Sequence, residues 1–487
     1  MLGRAFTDKD RLKQAIVQRE NGNKMNYIGT RGFREPRTFA GALLDGLAPD
    51  GGLYVPETYP VPDFDLNAAS AGDYGLLTEK LLTLFGVDVL GADAVQKAAA
   101  RTRAAFLNSA GQTPLVQVED NLWILELWHG PTLAFKDMAM QMIAPLTDAA
   151  LAQRGEKLTL VTATSGDTGA AAVRAFAGSE HVRLVVFHPL GRVSPVQRLQ
   201  MTTVEADNVL NIGVEGDFDD CQRMVKRLLG EEELKQYGLI SSVNSINWGR
   251  LLGQVPYYLA AAAASGADHP EFVVPTGNFG DAFAGWVGRK IGGNVGHIHA
   301  AVNSNDALAQ AINTGHYVRR PAVETASVSM DVQAPSNFER LIFEASGRQA
   351  EGTKGLFDNF NATGNAFIAP DLQDALNAQV TASSISEDET KATIAYAYKQ
   401  WNRVICPHTA VAVAAALKRG KDQAIPQIAL STAHAAKFPA FVTSALGFAP
   451  EVPEAIQKLH GQKETIHPIR NDEFAAMEAV KAFQRRA

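Results

Sequence analysis

One lysine stands apart by its placement: Lys136, in Trp128-His129-Gly130-Pro131-Thr132-Leu133-Ala134-Phe135-Lys136-Asp137, just before the Met- and Ala-rich helical stretch Met138 to Ala149. At a helix start its charge gains nothing from the positive end of the dipole. On the surface it is an ordinary solvated ammonium. Buried, it loses hydration, its pKa falls, and it offers the neutral amine that forms a Schiff base. The sequence leaves both readings open.

Two further segments share a strand, turn and helix design. Leu158 to Val161 runs into Thr164-Ser165-Gly166-Asp167-Thr168-Gly169 and then Ala170 to Ala177. Phe272-Val273-Val274-Pro275 runs into Thr276-Gly277-Asn278-Phe279-Gly280-Asp281 and then Ala282 to Lys290. Glycines in such turns permit φ > 0 and bring N–H groups close to a ligand, and the helix start adds positive dipole. Each turn is either an anion cradle or a packing device; the pair suggests a ligand with two anionic ends.

Other chemistries lose their usual support. Gly-x-Gly-x-x-Gly is absent, and Gly420-Lys421 is followed by Asp422, so no Walker-type phosphate loop exists. There is no His-Glu-x-x-His and no Gly-x-Ser-x-Gly. Of eleven histidines, His129, His408 and His434 lie in motif-like segments without metal-ligand spacing, so no metal is expected. The run Leu430 to Phe438 carries Ser431 and Thr432, which cap a helix or bond a ligand. The net charge of −7 argues against a nucleic-acid surface. Apolar runs such as Tyr257 to Ala264 fall far short of the ~20 residues that span a bilayer. Only Cys221 and Cys406 are present, which suits a reducing, cytoplasmic setting.

The elements that must position these residues follow an α/β plan. A chain of 487 residues is too long for one core and implies two or three packed units. The first 24 residues read as an extension outside the fold. Residues 25–110 form an N-terminal unit, turn-rich from Gly29 to Tyr59 and helical from Tyr74 to Phe106. Short β-rich runs then alternate with helical stretches: Leu158 to Thr164, Val182 to Phe187, Phe272 to Val274, His297 to Val302 and Ile428 to Leu430. The alternation predicts a mostly parallel sheet covered by helices. A larger unit of 111–150 plus 271–487, carrying a helical insertion near 325–400, and a smaller α/β unit of 151–270 complete the division.

Taken together, these segments resemble the pyridoxal-phosphate enzymes of fold type II, and within them the threonine synthase family. The resemblance rests on Tyr27 to Gly32, Asp50 to Pro56, Gly130 to Asp137, Ser165 to Gly169, Asn244 to Asn247, Gly277 to Asp281, Ser329 to Asp331, Ser336 to Arg340 and Ser431 to Lys437. It implies that pyridoxal 5'-phosphate is held by Lys136 as a Schiff base, with its phosphate on Gly277, Asn278, Phe279, Gly280 and Asp281. It places the Thr432 hydroxyl at the pyridine nitrogen and Asp167 where related enzymes often carry Asn near the ring hydroxyl. The implied reaction converts O-phospho-L-homoserine and water to L-threonine and phosphate. Ser165 and Thr168 are then expected to meet the substrate carboxylate, with Thr132 lining the site. Asn247 and Arg250, expected in a loop, are the candidates for the γ-phosphate. A dehydratase or phospholyase of the same fold is the enzymatic rival, and a non-catalytic binder the rival from another class. The oligomeric state stays open between monomer and dimer.

Overall fold

The computed structural model describes residues 25–106, 113–420 and 425–485; the expected extension at 1–24 lies outside them. In chain order the strands are β1 (Tyr27–Gly29), β2 (Tyr54–Pro56), β3 (Leu115–Glu119), β4 (Leu122–Glu126), β5 (Leu158–Ala163), β6 (Val182–Pro189), β7 (Val209–Glu215) and β8 (Leu239–Ser241). They continue as β9 (Glu271–Pro275), β10 (Ile298–Val302), β11 (His316–Val318), β12 (Asn365–Phe367), β13 (Val380–Ser384), β14 (Gln427–Ser431) and β15 (His467–Arg470).

Two sheets carry the architecture. The larger runs β13-β10-β9-β14-β4-β3 and is parallel except for the β3–β4 pair. The smaller runs β15-β7-β6-β5-β8 and is parallel throughout. Every residue of β9, β10 and β14 is buried, as expected of central parallel strands covered on both faces. The expected mostly parallel α/β fold is therefore present. One apolar core runs from Tyr27 and Phe39 in the N-terminal unit through Leu160 and Val186 of the smaller sheet to Phe272 and Ile298 of the larger. Among the described residues no helix is long and apolar enough to cross a membrane.

The N-terminal unit pairs β1 antiparallel with β2 and adds helices Tyr74–Leu84 and Ala92–Ala105. Asp73 caps the first of these by accepting from Leu76 N at 3.0 Å. Tyr27, fully buried, donates its hydroxyl to Phe85 O at 2.7 Å and lies against Trp248, which ties this unit to the chain around Asn247.

Two parts of the expected division differ. The stretch 325–400 is rich in helices, but it also supplies β13, an edge strand parallel to β10. That strand reads Val-Thr-Ala-Ser-Ser, without a continuous apolar run; instead the ring of His299 on β10 is bonded to Thr381 Oγ1 and Ser383 Oγ, both at 2.8 Å. At the other end of the chain, β15 pairs with β7, and helix Glu473–Gln484 follows it with Gln484 Nε2 donating to Thr159 Oγ1 at 2.9 Å. The C-terminus thus rejoins the smaller sheet. The short His-Pro-Ile-Arg strand has one buried residue, so sequence pattern could not mark it.

Candidate active site

The carboxyl ends of β4, β9 and β14, adjacent in the larger sheet, bring three segments together, the usual ligand edge of a parallel sheet. The chain leaving β4 is stitched to the chain leaving β14: Phe135 N donates to Thr432 O at 2.9 Å and His434 N to Leu133 O at 3.1 Å. Leu133 takes φ 58° to make the bend. Lys136 then opens the helix Lys136–Arg154. Inside the bend, Asp137 accepts from Thr132 N at 2.8 Å and Thr132 Oγ1 at 2.7 Å. Burial pushes the Asp137 carboxyl up to about 6. A Cβ on Gly130 would lie 2.5 Å from Asp137 Oδ2, so only glycine allows this closure. Thr132, expected among the substrate contacts, commits its hydroxyl to Asp137, and its carbonyl accepts from Gln200 Nε2 at 2.9 Å and Lys437 Nζ at 2.7 Å.

Lys136 is buried, not a surface lysine: its side chain is 11% exposed, and Nζ lies 3.3 Å from Asp167 Oδ2. Burial lowers its pKa, Asp167 opposes that, and the charges of Lys437 and Arg250 add to the lowering. Asp167 sits at the centre of the cluster. Its Oδ1 accepts from Lys437 Nζ at 2.6 Å and Gln197 Nε2 at 2.8 Å, and Ser329 Oγ lies 3.4 Å from Oδ2. Burial alone would raise the Asp167 pKa, but Lys437, Lys136 and His408 together hold it well below the usual carboxylate range.

The turn carrying Asp167 follows β5. Thr164 Oγ1 accepts from Gly166 N and Gly169 N, both at 2.9 Å, and Gly166 takes φ 144°. A Cβ on Gly166 would fall 2.3 Å from the Gln197 side chain. Ser165 and Thr168, on the same turn at the start of helix Asp167–Phe176, are half-buried.

The turn after β9 differs in detail from the expectation. The left-handed residue is Phe279, φ 63°, and neither Gly277 nor Gly280 has positive φ. These glycines are required by close approach: a Cβ on Gly277 would sit 2.4 Å from Ser329 O, and one on Gly280 3.2 Å from Asn337 Nδ2. Asn337 fastens the turn, its N and Nδ2 donating to Asn278 O at 3.1 and 3.0 Å. The helix Gly280–Lys290 starts directly after. Asp281 turns its carboxyl to Tyr258 OH at 2.7 Å and to Tyr257 OH, and burial raises it to about 6. That leaves the Asp281 backbone N–H, not its carboxylate, as a group suited to an anion.

Asn247 and Arg250 do not lie in a loop. Asn247 caps the helix Trp248–Leu252, accepting from Gly249 N at 2.9 Å and donating Nδ2 to Leu43 O at 2.7 Å. Arg250 is 4% exposed, donates Nη1 to Val243 O at 2.9 Å, and keeps a buried Nε with no protein partner. Burial brings its guanidinium down to about 10. His408, noted in the sequence only as a histidine in a motif-like segment without metal-ligand spacing, lines the site. His408 Nε2 accepts from Ser329 N at 3.3 Å, and burial lowers its pKa to about 4. Gln197 acts through a hydrogen bond that no local pattern announces, and Asn337 had only its place in the Ser336–Arg340 run as a signal. Lys437 had a signal, its place in the Ser431–Lys437 run.

Comparison with known proteins agrees with this geometry. Residues 106–354 match the family described as pyridoxal-phosphate dependent enzyme, 26–102 the threonine synthase N terminus, and 409–483 the threonine synthase C-terminal family. A threonine synthase from Pseudomonas aeruginosa is 39% identical over 452 residues, 92% of this chain and 96% of its own. The chain belongs to the threonine synthase family. Among solved structures of threonine synthases, one from Brucella melitensis with bound PLP superposes with a TM-score of 0.90 at 41% identity, over 95% of this chain and 100% of that one. The yeast enzyme gives a TM-score of 0.89 at 33% identity, over 95% and 99%. The residues present suit the cofactor of a threonine synthase. Lys136 is a buried amine of lowered pKa, the Gly277–Gly280 turn leads into a helix, and Arg250 Nε is buried without a partner.

Proposed function

We propose that this chain converts O-phospho-L-homoserine and water into L-threonine and phosphate, with pyridoxal 5'-phosphate carried on Lys136. The observation that carries the reading is the buried Lys136 amine beside Asp167, within electrostatic reach of Asp281 on the glycine turn. Bound there, the cofactor supplies an electron sink for charge developing at the substrate carbons. Lys136 would anchor it, the N–H groups of Gly277 to Asp281 would receive its phosphate, and the Thr432 hydroxyl would meet its ring nitrogen. Asp167 would lie near the ring hydroxyl.

The chain's own groups then have distinct tasks. The Lys136 amine, once released, accepts and returns protons at the substrate α and β carbons, and burial keeps a neutral form accessible for that work. Ser165 and Thr168, with nearby N–H groups, hold the substrate carboxylate. Arg250 supplies a cationic donor for the γ-phosphate through its unpartnered Nε. Asn247 contributes by capping the helix that presents Arg250. A cytoplasmic location is supported by the two cysteines, Cys221 and Cys406, which are buried and unpaired.

Product analysis tests the reading. Incubation with O-phospho-L-homoserine should give threonine and phosphate in equal amounts, and predominant keto acid with ammonia would replace it by a dehydratase or phospholyase.

A further inference from the structure

The buried cluster around Lys136 holds two ammonium groups and one carboxylate within salt-bridge reach: Lys136, Lys437 and Asp167. The two lysines are not equivalent. Lys437 is fully buried, lies 2.6 Å from Asp167 Oδ1, and donates also to Thr132 O at 2.7 Å. Lys136 stands further off at 3.3 Å and, among the described residues, has no second bond of that kind. We infer that Lys437 is a positioning residue: by occupying the Asp167 carboxylate it leaves Lys136 as the amine free to attack the aldehyde of the cofactor. This rests on the reading of Lys136 as the cofactor lysine.

The backbone fixes Lys437 for this role. It ends the short 3-10 turn Ala435–Lys437, capped by His434 Nδ1 accepting from Ala436 N at 3.1 Å. Its second acceptor, Thr132 O, belongs to the bend that carries Lys136, so the same ammonium ties the Asp167 turn to the Lys136 bend. Gln197 Nε2 on Oδ1 of Asp167, at 2.8 Å, further sets the carboxylate's orientation.

Charge accounting gives the direction. The ionisable groups acting on Lys136 come from five elements: Asp167, Lys437, Arg250 on helix Trp248–Leu252, His408 on helix Pro407–Gly420, and Asp281 on helix Gly280–Lys290. Arg250 and Lys437 disfavour an ammonium at Lys136, whereas Asp167 favours one. Without the Lys437 charge, Asp167 would pair with Lys136 alone and hold it as an ammonium, which has no lone pair to attack a carbonyl. A neutral hydrogen-bond donor at 437 would satisfy Oδ1 without cancelling its charge.

The full-length chain, stripped of cofactor, is labelled with acetic anhydride between about pH 6 and 10, and acetylation of Lys136 is read by peptide mass spectrometry. Capture of added pyridoxal phosphate is followed in parallel by its visible absorption; the amine adds to the aldehyde carbon, a C=N bond forms and one water leaves. In Lys437→Met the labelling midpoint should move to higher pH, and capture near neutral pH should slow by about tenfold or more. The double variant Asp167→Asn/Lys437→Met, with both charges removed, should bring the labelling midpoint back toward that of wild type. Should Lys437→Met fail to fold, Lys437→Gln decides by the same shift to higher pH, because it can keep a donor for Asp167 Oδ1 while removing the charge. A Lys437→Met profile that superimposes on wild type overturns the inference, as does an equal midpoint shift in the single and double variants. If wild-type Lys136 captures no pyridoxal phosphate, the cofactor reading itself fails. The labelling profiles need no cofactor and judge Lys437 separately.

Discussion

Replacing Gly277 by alanine should cost the protein its cofactor while leaving it folded. A Cβ at that position lands 2.4 Å from Ser329 O and 3.3 Å from Met330 Cα, whereas a Cβ on Gly280 meets Asn337 Nδ2 at 3.2 Å and Ser245 O at an ordinary 3.5 Å. The two neighbours differ in what they can yield. Ser329 lies in the turn Val328–Met330, closed by Met330 N on Ser327 O at 2.7 Å and held by Ser329 N on His408 Nε2 at 3.3 Å, so its carbonyl has no cheap way to swing. Asn337 Nδ2 is the end of a side chain and can shift by a few tenths of an ångström. Overpacking against fixed backbone costs about 1–3 kcal/mol. If the turn relieves that strain by leaving its seat, the energy is lost from phosphate binding, and at about 1.4 kcal/mol per tenfold the cofactor affinity falls roughly 5- to 140-fold. For Gly280→Ala the loss should stay within about threefold. Titration of the stripped chain with pyridoxal phosphate, followed by visible absorption and accompanied by urea melts, measures both variants. Wild-type affinity in Gly277→Ala, or equal damage in the two variants, would show that the close approach to Ser329 does not govern the turn.

Lys136→Ala should abolish turnover while the melting temperature stays near that of wild type, because alanine offers neither the imine nor the proton-transfer amine; any steady-state activity in a preparation free of wild type refutes this. Arg250→Ala should raise KM for O-phospho-L-homoserine by more than it changes cofactor affinity, and an unaltered saturation curve removes Arg250 from the γ-phosphate site. Asp281 gives a pH signature in the stripped chain. Burial lifts its carboxyl from 3.8 to about 6, so the folded state holds the proton more tightly. Its contribution to stability is full below the unfolded value and lost as pH rises through about 6. Asp281→Asn removes that dependence, and the stability of wild type relative to the variant should fall by about 3 kcal/mol at most between pH 4 and 7, from denaturant melts. A difference that stays constant with pH would show that the carboxyl is not perturbed.

How much could be read along the chain depends on whether the information was local. The strands β5, β6, β9, β10 and β14 are mostly apolar runs followed by turn or helix signals, because nearly all of their residues are buried, and sequence pattern locates them to within a few residues. The Gly277–Gly280 turn, the Thr164–Gly169 turn and the lysine before Met138 are likewise short strings whose chemistry is carried by adjacent residues. Edge strands were less visible. β13 presents polar residues matched by His299, and β15 buries a single side chain, so their membership of a sheet depends on partners far away in the chain.

The amino-acid sequence by itself determined that the chain carries a lysine at a helix start, two glycine turns and a Ser431–Lys437 run, a set resembling one enzyme family. Only the tertiary structure decided that this lysine is out of water, because burial depends on everything packed around it. The same holds for the charge balance at the site. Asp167, Lys437, Arg250 and His408 come from turns and helices spread over more than two hundred residues, and their mutual effect falls off with distance in space, not in sequence. Arg250 shows the limit most plainly. Its neighbourhood in the chain suggested a loop, but the Asn247 cap folds that stretch into a helix and the core buries the guanidinium, leaving one nitrogen unpartnered among the described residues.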